Sequence, residues 1–176
     1  LYFYKEIKEQ PGGEGITKCL SCGTCTSICQ VHAVSNEYSP RKLIQMAVLG
    51  LKEEVINSDL LWICARCNNC TEVCPKGIRP QEIINAIRHA ALKNNSITNK
   101  GKRHSEFFKK SILKSGKINE AILPLYTLRQ NIIFQIPQSI KMFFKGKLPP
   151  LFPHKIKGLN DLKVLSQLID GRRRKK

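Results

Sequence analysis

Residues 19–29, CLSCGTCTSIC, and residues 64–74, CARCNNCTEVC, contain all eight cysteines of this 176-residue chain. In both stretches the four cysteines are separated by two, two and three residues, and the second stretch is followed by Pro75. Cysteines that serve only as core residues would not fall into one four-member pattern twice. The repeat therefore predicts two equivalent metal sites.

Bacterial proteins with two cubane clusters use this C-x2-C-x2-C-x3-C spacing, in which the fourth cysteine of each run ligates the cluster of the other run. The spacing therefore predicts two 4Fe-4S clusters as cofactors. By the same rule, one cluster takes Cys19, Cys22, Cys25 and Cys74, and the other takes Cys64, Cys67, Cys70 and Cys29. All eight cysteines are then metal ligands, and no catalytic residue is predicted.

Zinc and disulfides are the competing interpretations of the cysteines. Structural zinc also uses C-x2-C pairs. Each zinc site needs four ligands, however, and its coordination does not require four cysteines in one regularly spaced run. Disulfides require an oxidising compartment, and the residues before Cys19 show no apolar leader segment. We therefore expect iron–sulfur clusters in a reducing, cytoplasmic environment.

The net charge of +17 is unevenly distributed along the chain. Residues 1–96 hold 11 Lys or Arg against 9 Asp or Glu, whereas residues 97–176 hold 19 against 4. The sequence thus predicts a two-cluster domain over 1–96 and a basic C-terminal extension over 97–176 that docks on other subunits. A composition rich in Asn, Ser, Lys and Gly between Asn94 and Gly101 marks the boundary.

A helix that begins at proline is predicted after each cysteine run. Ser39 precedes Pro40 as an N-cap, and Pro80 begins the second helix. Apolar residues follow on one face of each, namely Leu43, Ile44, Ala47, Val48 and Leu51, then Ile83, Ile84, Ile87, Ala90 and Ala91. This arrangement suggests an internal repeat of loop, fourth ligand and helix, although two unrelated amphipathic helices are the alternative.

Shorter helical segments are predicted near 52–56, 105–115, 118–123 and 125–136. The apolar run Leu60–Ile63 is expected to keep water from a cluster, with Trp62 serving as core packing rather than as an electron path. His32 is expected at the surface or as a cap. Apolar residues of the extension are expected to be covered by another chain, namely Phe134, Ile136, Ile140, Met142, Phe143 and Phe144. The terminal Arg172–Lys176 is expected to be solvated.

The chain resembles the C subunits of heterodisulfide reductases from Cys19 to Leu165. Besides the cysteine runs, the resemblance rests on SPRK at 39–42 through LGL at 49–51, SDLLWIC at 58–64, CPKG at 74–77, and GKLPP at 146–150 through KGL at 157–159. It implies an all-α fold, an α-helical ferredoxin-like domain with two 4Fe-4S clusters, followed by a basic extension that is helical and irregular.

The resemblance also implies a role in an anaerobic, methanogenic archaeon. There the protein relays electrons between a flavin and iron–sulfur A subunit, where electron bifurcation occurs, and a catalytic CCG-domain B subunit. The B subunit reduces the heterodisulfide of coenzymes M and B. Hydrogenase or formate dehydrogenase components are implied as partners through the A subunit. In this chain no thiol is left for disulfide exchange, so the expected role is that of a non-catalytic subunit of an oxidoreductase complex.

The chain departs from the family pattern at Gln30, because the family usually has Cys-Pro where this sequence has Cys29-Gln30. The missing proline removes no ligand, but it leaves an N–H free and the turn less fixed. We expect this to affect the cluster that Cys29 ligates.

Two other functions compete with this electron relay. The first is a relay in a membrane-associated respiratory complex linked to a quinone or cytochrome, since the basic, Phe-containing tail suits anionic lipid. Membrane contact is not favoured, because a protein groove explains the same residues. The second is a nucleic-acid-binding protein, suggested by the charge of +15 in residues 97–176. No base-reading module accompanies that charge, and we expect no nucleic-acid partner.

Overall fold

The computed structural model describes residues 2–94, 99–118, 122–123, 126, 137, 140–141, 144–145 and 155–174. Within these ranges the regular structure is helical, and no strand is present. The α-helices are α1 Phe3–Lys8, α2 Thr24–Ser27, α3 Gln30–Val34, α4 Pro40–Val48, α5 Lys52–Asn57, α6 Asn69–Glu72, α7 Pro80–Lys93, α8 Lys100–Ser115 and α9 Leu159–Arg174, with 3-10 turns at Ile16–Lys18 and Asp59–Trp62. The all-α fold expected from the sequence is confirmed.

The two helices predicted after the cysteine runs are confirmed as α4 and α7, and both begin at proline. Ser39 caps α4, because its Oγ accepts a hydrogen bond from the backbone N–H of Lys42 at 3.2 Å. The Ser39 hydroxyl also lies 2.9 Å from the Thr26 hydroxyl of α2. One side chain therefore fixes the start of α4 and joins it to the first cysteine run.

One core lies among α1, α4, α5 and α7, which pack against one another. Its buried residues include Leu43, Ile44 and Ala47 of α4 and Ile83, Ile84, Ile87, Ala90 and Ala91 of α7, as the periodicity predicts. Val48 ends α4, whereas Leu51 lies beyond that helix and immediately precedes α5, so its predicted place on the helix was wrong. The two side chains are 37% and 39% exposed, and the sequence pattern overstated their burial. The core thus forms a platform on which both cysteine runs rest.

The apolar run Leu60–Ile63 is only partly buried, although the sequence predicted that it keeps water from a cluster. Leu61 is fully buried, and Leu60 and Trp62 pack against the core, but Ile63 is 43% exposed. The reason is the 3-10 turn Asp59–Trp62. With three residues per turn, four consecutive side chains cannot all face the core.

The chain divides into two compact units, Leu1–Lys102 and Arg103–Lys176. Gly101 was expected to mark a domain boundary, but it lies inside α8. Asn99 caps the start of that helix by accepting a hydrogen bond from the Lys102 N–H at 2.9 Å. The helix predicted near 105–115 therefore begins earlier, at Lys100. The segments predicted helical at 118–123 and 125–136 lie largely outside the described residues, as do Phe134, Ile136, Met142 and Phe143.

No helix among the described residues is both long and apolar enough to cross a bilayer.

Candidate iron–sulfur centre

Both cysteine runs adopt the same backbone conformation. Ser21 and Arg66, each two residues after the first cysteine of its run, have φ of +55° and +56°. Gly23 and Asn68, four residues after that cysteine, have φ of +91° and +65° and precede the short helices α2 and α6. These left-handed residues turn the chain tightly at matching places. The sequence repeat is therefore also a repeat of loop geometry.

Four cysteines line each of two cavities, and each set draws on both runs. The first cavity has about 380 Å³ of atom-free space, some of it open to solvent, and is lined by Cys19, Cys22, Cys25 and Cys74. The second cavity, about 310 Å³, is lined by Cys29, Cys64, Cys67 and Cys70. The fold thus brings together the same two sets of thiols that the spacing predicts as ligand sets, with the fourth cysteine exchanged between runs.

The other residues of the two cavities also correspond. Pro80 lines the first cavity and Pro40 the second. Ile78 and Tyr38, each two residues before those prolines, line the first and second cavity respectively. The immediate surroundings differ, however, because Arg41 and Lys76 line the first cavity, whereas Gln81 and two asparagines line the second. Similar cages therefore offer different electrostatic environments.

Cysteines at corresponding positions of the two runs show similar solvent exposure. The first and fourth cysteines of each run pack against the core, namely Cys19, Cys29, Cys64 and Cys74. Cys22 and Cys67 are exposed, and Cys70 is buried. All eight thiols are free, with no disulfide. Each cavity therefore has one wall on the core and one thiol at the surface.

Local environment alters the acidity of several thiols. A hydrogen bond with the Thr24 side chain, 3.4 Å from Cys22 Sγ, lowers the pKa of Cys22. Burial raises the pKa of Cys25 and raises that of Cys70 to about 11. Metal binding needs thiolates, so cluster insertion would release protons from these buried thiols.

Arg88 of α7 holds the start of the second cysteine run. Its Nε donates a hydrogen bond to the Leu61 carbonyl at 2.8 Å, and its Nη2 lies 3.5 Å from the Cys64 carbonyl. The guanidinium carbon is 5.9 Å from the centroid of the Trp62 ring. Burial lowers the pKa of Arg88, while the neighbouring Cys64 and Tyr38 act in the opposite direction. This positive group therefore stands close to the second cavity.

The sequence did not single out Arg88 or Tyr38 as site residues. Tyr38 is fully buried, and burial raises its pKa above the usual range, as do the neighbouring Cys64 and Cys29. A signal for Tyr38 did exist, since it precedes Pro40 by the same two residues that separate Ile78 from Pro80. His32 is half-buried, and its Nδ1 lies 2.7 Å from the Tyr38 carbonyl oxygen, in the loop before α4 rather than at a helix end.

The donor set suits an iron–sulfur cluster. Each cavity offers four soft thiol ligands and otherwise mainly apolar walls, the chemistry that Fe–S clusters require. Among the described residues, no group of three or more His, Cys, Asp or Glu side chains is placed to hold a single metal ion. The thiols line a cavity rather than converge on one point.

Comparison with known proteins identifies this module. Residues 15–78 match the family model described as a 4Fe-4S dicluster domain. A protein of Archaeoglobus profundus, named as similar to the C subunit of heterodisulfide reductase, is 40% identical over 83 residues, which are 47% of this chain and 44% of that protein. The C subunit of the H(2):CoB-CoM heterodisulfide,ferredoxin reductase of Methanothermobacter thermautotrophicus is 32% identical over 126 residues, 70% of this chain and 65% of that protein.

A further relative comes from a bacterium. The iron–sulfur subunit of the 8-methylmenaquinol:fumarate reductase of Wolinella succinogenes is 30% identical over 161 residues, 82% of this chain and 50% of that protein. In these three comparisons the chain spans between 44% and 65% of the relative's length. With its two cages of four cysteines and these relatives, the chain is an iron–sulfur protein similar to the C subunits of heterodisulfide reductases, and it holds two 4Fe-4S clusters.

Proposed function

We propose that this chain relays electrons within a multisubunit oxidoreductase of the heterodisulfide reductase type. The observation that supports this most directly is the use of all eight cysteines in two adjacent cages on one core. No cysteine remains for disulfide chemistry. The substrate is therefore expected to react on another subunit, and this chain is not the catalytic one.

We propose the crossed ligand sets for the two clusters. Cys19, Cys22, Cys25 and Cys74 would hold the cluster of the first cavity, and Cys29, Cys64, Cys67 and Cys70 that of the second. When bound, such clusters supply one-electron chemistry without the making or breaking of substrate bonds. The chain's own contribution is to fix the thiols, exclude water on the core side and set the local charge.

The pattern of exposure suits electron exchange with other proteins. Cys22 and Cys67 reach the surface, and beside Cys22 the side chain of Leu20 is 63% exposed. An apolar side chain next to an exposed ligand favours a dry contact with a partner. The core side offers no such access, because Cys19 and Cys64 pack against buried residues.

The partners that we propose are a flavin-containing A subunit and a catalytic B subunit. The names of the relatives, which are C subunits of reductases of the CoB–CoM heterodisulfide, support a multisubunit partner set of this kind and that heterodisulfide as the terminal substrate. The flavin of the A subunit and electron bifurcation there are what the family resemblance implies. The surplus of cations in residues 97–176 supports docking of the extension on acidic surfaces of such subunits. We place the complex in the cytoplasm, with hydrogenase or formate dehydrogenase reached through the A subunit.

A second candidate is a relay in a quinone-linked complex. The observation in its favour is the match to the iron–sulfur subunit of the menaquinol:fumarate reductase, which covers 82% of this chain and so includes part of the basic extension. Both candidates use the same two clusters. They differ in the partner that docks on the chain.

The test is anaerobic purification of the chain from its native host with its bound partners. Mass spectrometry identifies the partners, and electron paramagnetic resonance (EPR) during a dithionite titration counts the clusters. A flavoprotein and a CCG-domain protein with two interacting cubane signals is the expected result. Copurification of a membrane cytochrome would favour the quinone-linked complex, and zinc in place of iron would contradict both.

A further inference from the structure

The hydroxyl of Tyr38 is a buried polar group with no hydrogen-bond partner in the part of the chain that the structure describes. The side chain is fully buried and lines the second cavity with Cys29, Cys64, Cys67 and Cys70. Within the described residues its oxygen forms no hydrogen bond. Leaving a buried hydroxyl without a hydrogen bond is unfavourable. The contents of the cavity are therefore the natural place to look for its partner.

The backbone holds Tyr38 firmly in this place. Its N–H donates a hydrogen bond to the Ser35 carbonyl at 3.0 Å, and its own carbonyl oxygen lies 2.7 Å from Nδ1 of His32. Two residues later, Pro40 begins α4. With both backbone groups engaged and the ring buried in the core, the phenol cannot turn to solvent without local unfolding.

The first cavity lacks this group. Ile78 occupies the corresponding position, two residues before Pro80. It is 5% exposed, and its side chain has no hydrogen-bond donor. The two cages share their loop conformation, so the difference between Tyr38 and Ile78 is one of chemistry. A hydroxyl faces one set of thiols, and a hydrocarbon faces the other.

Burial raises the pKa of Tyr38, and among the thiols of the second cavity Cys64 adds most to that rise, followed by Cys29. Among the described residues, the hydroxyl forms no hydrogen bond with any of these thiols in the absence of a cluster. Cys64 becomes a thiolate when it binds iron, and a thiolate is a stronger acceptor than a thiol.

We propose that the Tyr38 hydroxyl donates a hydrogen bond to the Cys64 thiolate of the second cavity's cluster and thereby raises the reduction potential of that cluster. Reduction adds negative charge, and a donor to a ligating sulfur stabilises the reduced state more than the oxidised one. Tyr38 is thus a tuning residue that contacts a ligand. The inference rests on the crossed ligand sets proposed above.

The test compares Tyr38→Phe with the unaltered full chain, both loaded with two clusters. Phe removes one oxygen and keeps the ring, so the core stays filled. In an EPR-monitored titration, we expect the reduction equilibrium of one cluster to become less favourable by about tenfold, equal to a fall of about 59 mV for a one-electron couple. The other cluster should keep its potential. Pulsed EPR after exchange into D2O should show that one exchangeable proton coupling is lost.

Tyr4→Phe is the matched control, because Tyr4 packs against the same core but lines neither cavity. It should change neither potential. Unchanged potentials in Tyr38→Phe at full iron content would overturn the proposal, as would equal shifts of both clusters or loss of iron. A failure of the ligand sets is separately visible in the iron content of cysteine variants, which does not depend on Tyr38.

Discussion

Cys29 lines the cavity formed by the second cysteine run, and Cys74 lines the cavity formed by the first. The exchange follows from the packing of α2 against α6 and of α4 against α7. Each run therefore depends on a residue located at the end of the other run. Loss of one fourth cysteine should affect the site of the opposite run.

The first prediction concerns the iron content of double variants. Cys22→Ala with Cys74→Ala removes two thiols from the first cavity, so one cluster should remain. Cys67→Ala with Cys74→Ala removes one thiol from each cavity, so both clusters should be impaired. Iron and sulfide analysis of anaerobically purified protein distinguishes the cases. If the ligands were not crossed, the results of the two double variants would be reversed.

The second prediction concerns Gln30, where a proline was expected. Gln30 is the first residue of α3, a position whose N–H has no partner within a helix, and Cys29 before it has the extended φ of −74° and ψ of 118° that proline tolerates. Gln30→Pro should therefore be accepted. It should stabilise the chain by about 0.4–1 kcal/mol through the unfolded state.

Thermal unfolding of the cluster-loaded protein measures this effect. Val31→Pro, one residue further into α3, is the comparison that should be less well tolerated. A lower midpoint for Gln30→Pro than for the unaltered chain would show that the turn after Cys29 differs from the turn at Pro75.

The third prediction concerns the clamp that Arg88 forms on the second run. Arg88→Lys keeps the charge but loses the fork that reaches the Leu61 and Cys64 carbonyls. Hydrogen bonds to a charged group contribute about 1.5–3 kcal/mol, so amide hydrogen exchange around residues 61–64 should accelerate. Iron release to a chelator should also become faster.

Arg79→Lys is the matched control for this experiment. Arg79 pairs with Glu82 at 3.0 Å, but both side chains are largely solvated, at 66% and 39% exposure. Such surface pairs contribute about 0–1 kcal/mol. Equal effects of the two substitutions would argue against the clamp.

The fourth prediction concerns Gly101 and Trp62. A β-carbon on Gly101 would overlap Cγ of Trp62, so the close approach of α8 to the ring requires glycine. Alanine ordinarily favours a helix over glycine by about 1 kcal/mol. Here overpacking should dominate, and Gly101→Ala should destabilise the chain by about 1–3 kcal/mol.

The emission of Trp62, the one tryptophan of the chain, reports this displacement directly. We expect a red shift in Gly101→Ala as the ring moves toward water. Lys110→Ala, an exposed substitution in the same helix, should leave the emission unchanged. A stabilised Gly101→Ala with unaltered emission would contradict the packing described for this helix.

The sequence predicts the site better than it predicts the helices around it. Cysteine spacing and the two prolines suffice to anticipate the paired cages and the start of α4 and α7, because ligand geometry and fixed φ are local properties. The first helix, Phe3–Lys8, and the short α3 escaped notice. Helices of six and five residues show too little periodicity to be recognised.

The contributions of Tyr38 and Arg88 depend on contacts between distant residues, which no local pattern encodes. Arg88 lies in an amphipathic helix with other polar residues and would ordinarily be taken as a solvated residue. Its role emerges only because the turn Asp59–Trp62 brings the Leu61 carbonyl within reach. Similarly, Ile63 was expected to be buried because it belongs to a run of four apolar residues. The 3-10 turn directs its side chain outward instead.

The left-handed backbone of Ser21 and Arg66 also affects how the chain responds to loss of its metal. Residues other than glycine pay about 1–2 kcal/mol for this conformation, and bound metal would hold them there. A chain that has lost its metal to oxygen is then free to relax in these loops, where Arg66 is exposed. The peptide bond after Arg66 should therefore be cleaved faster, once the metal is lost, by a protease that is specific for basic residues.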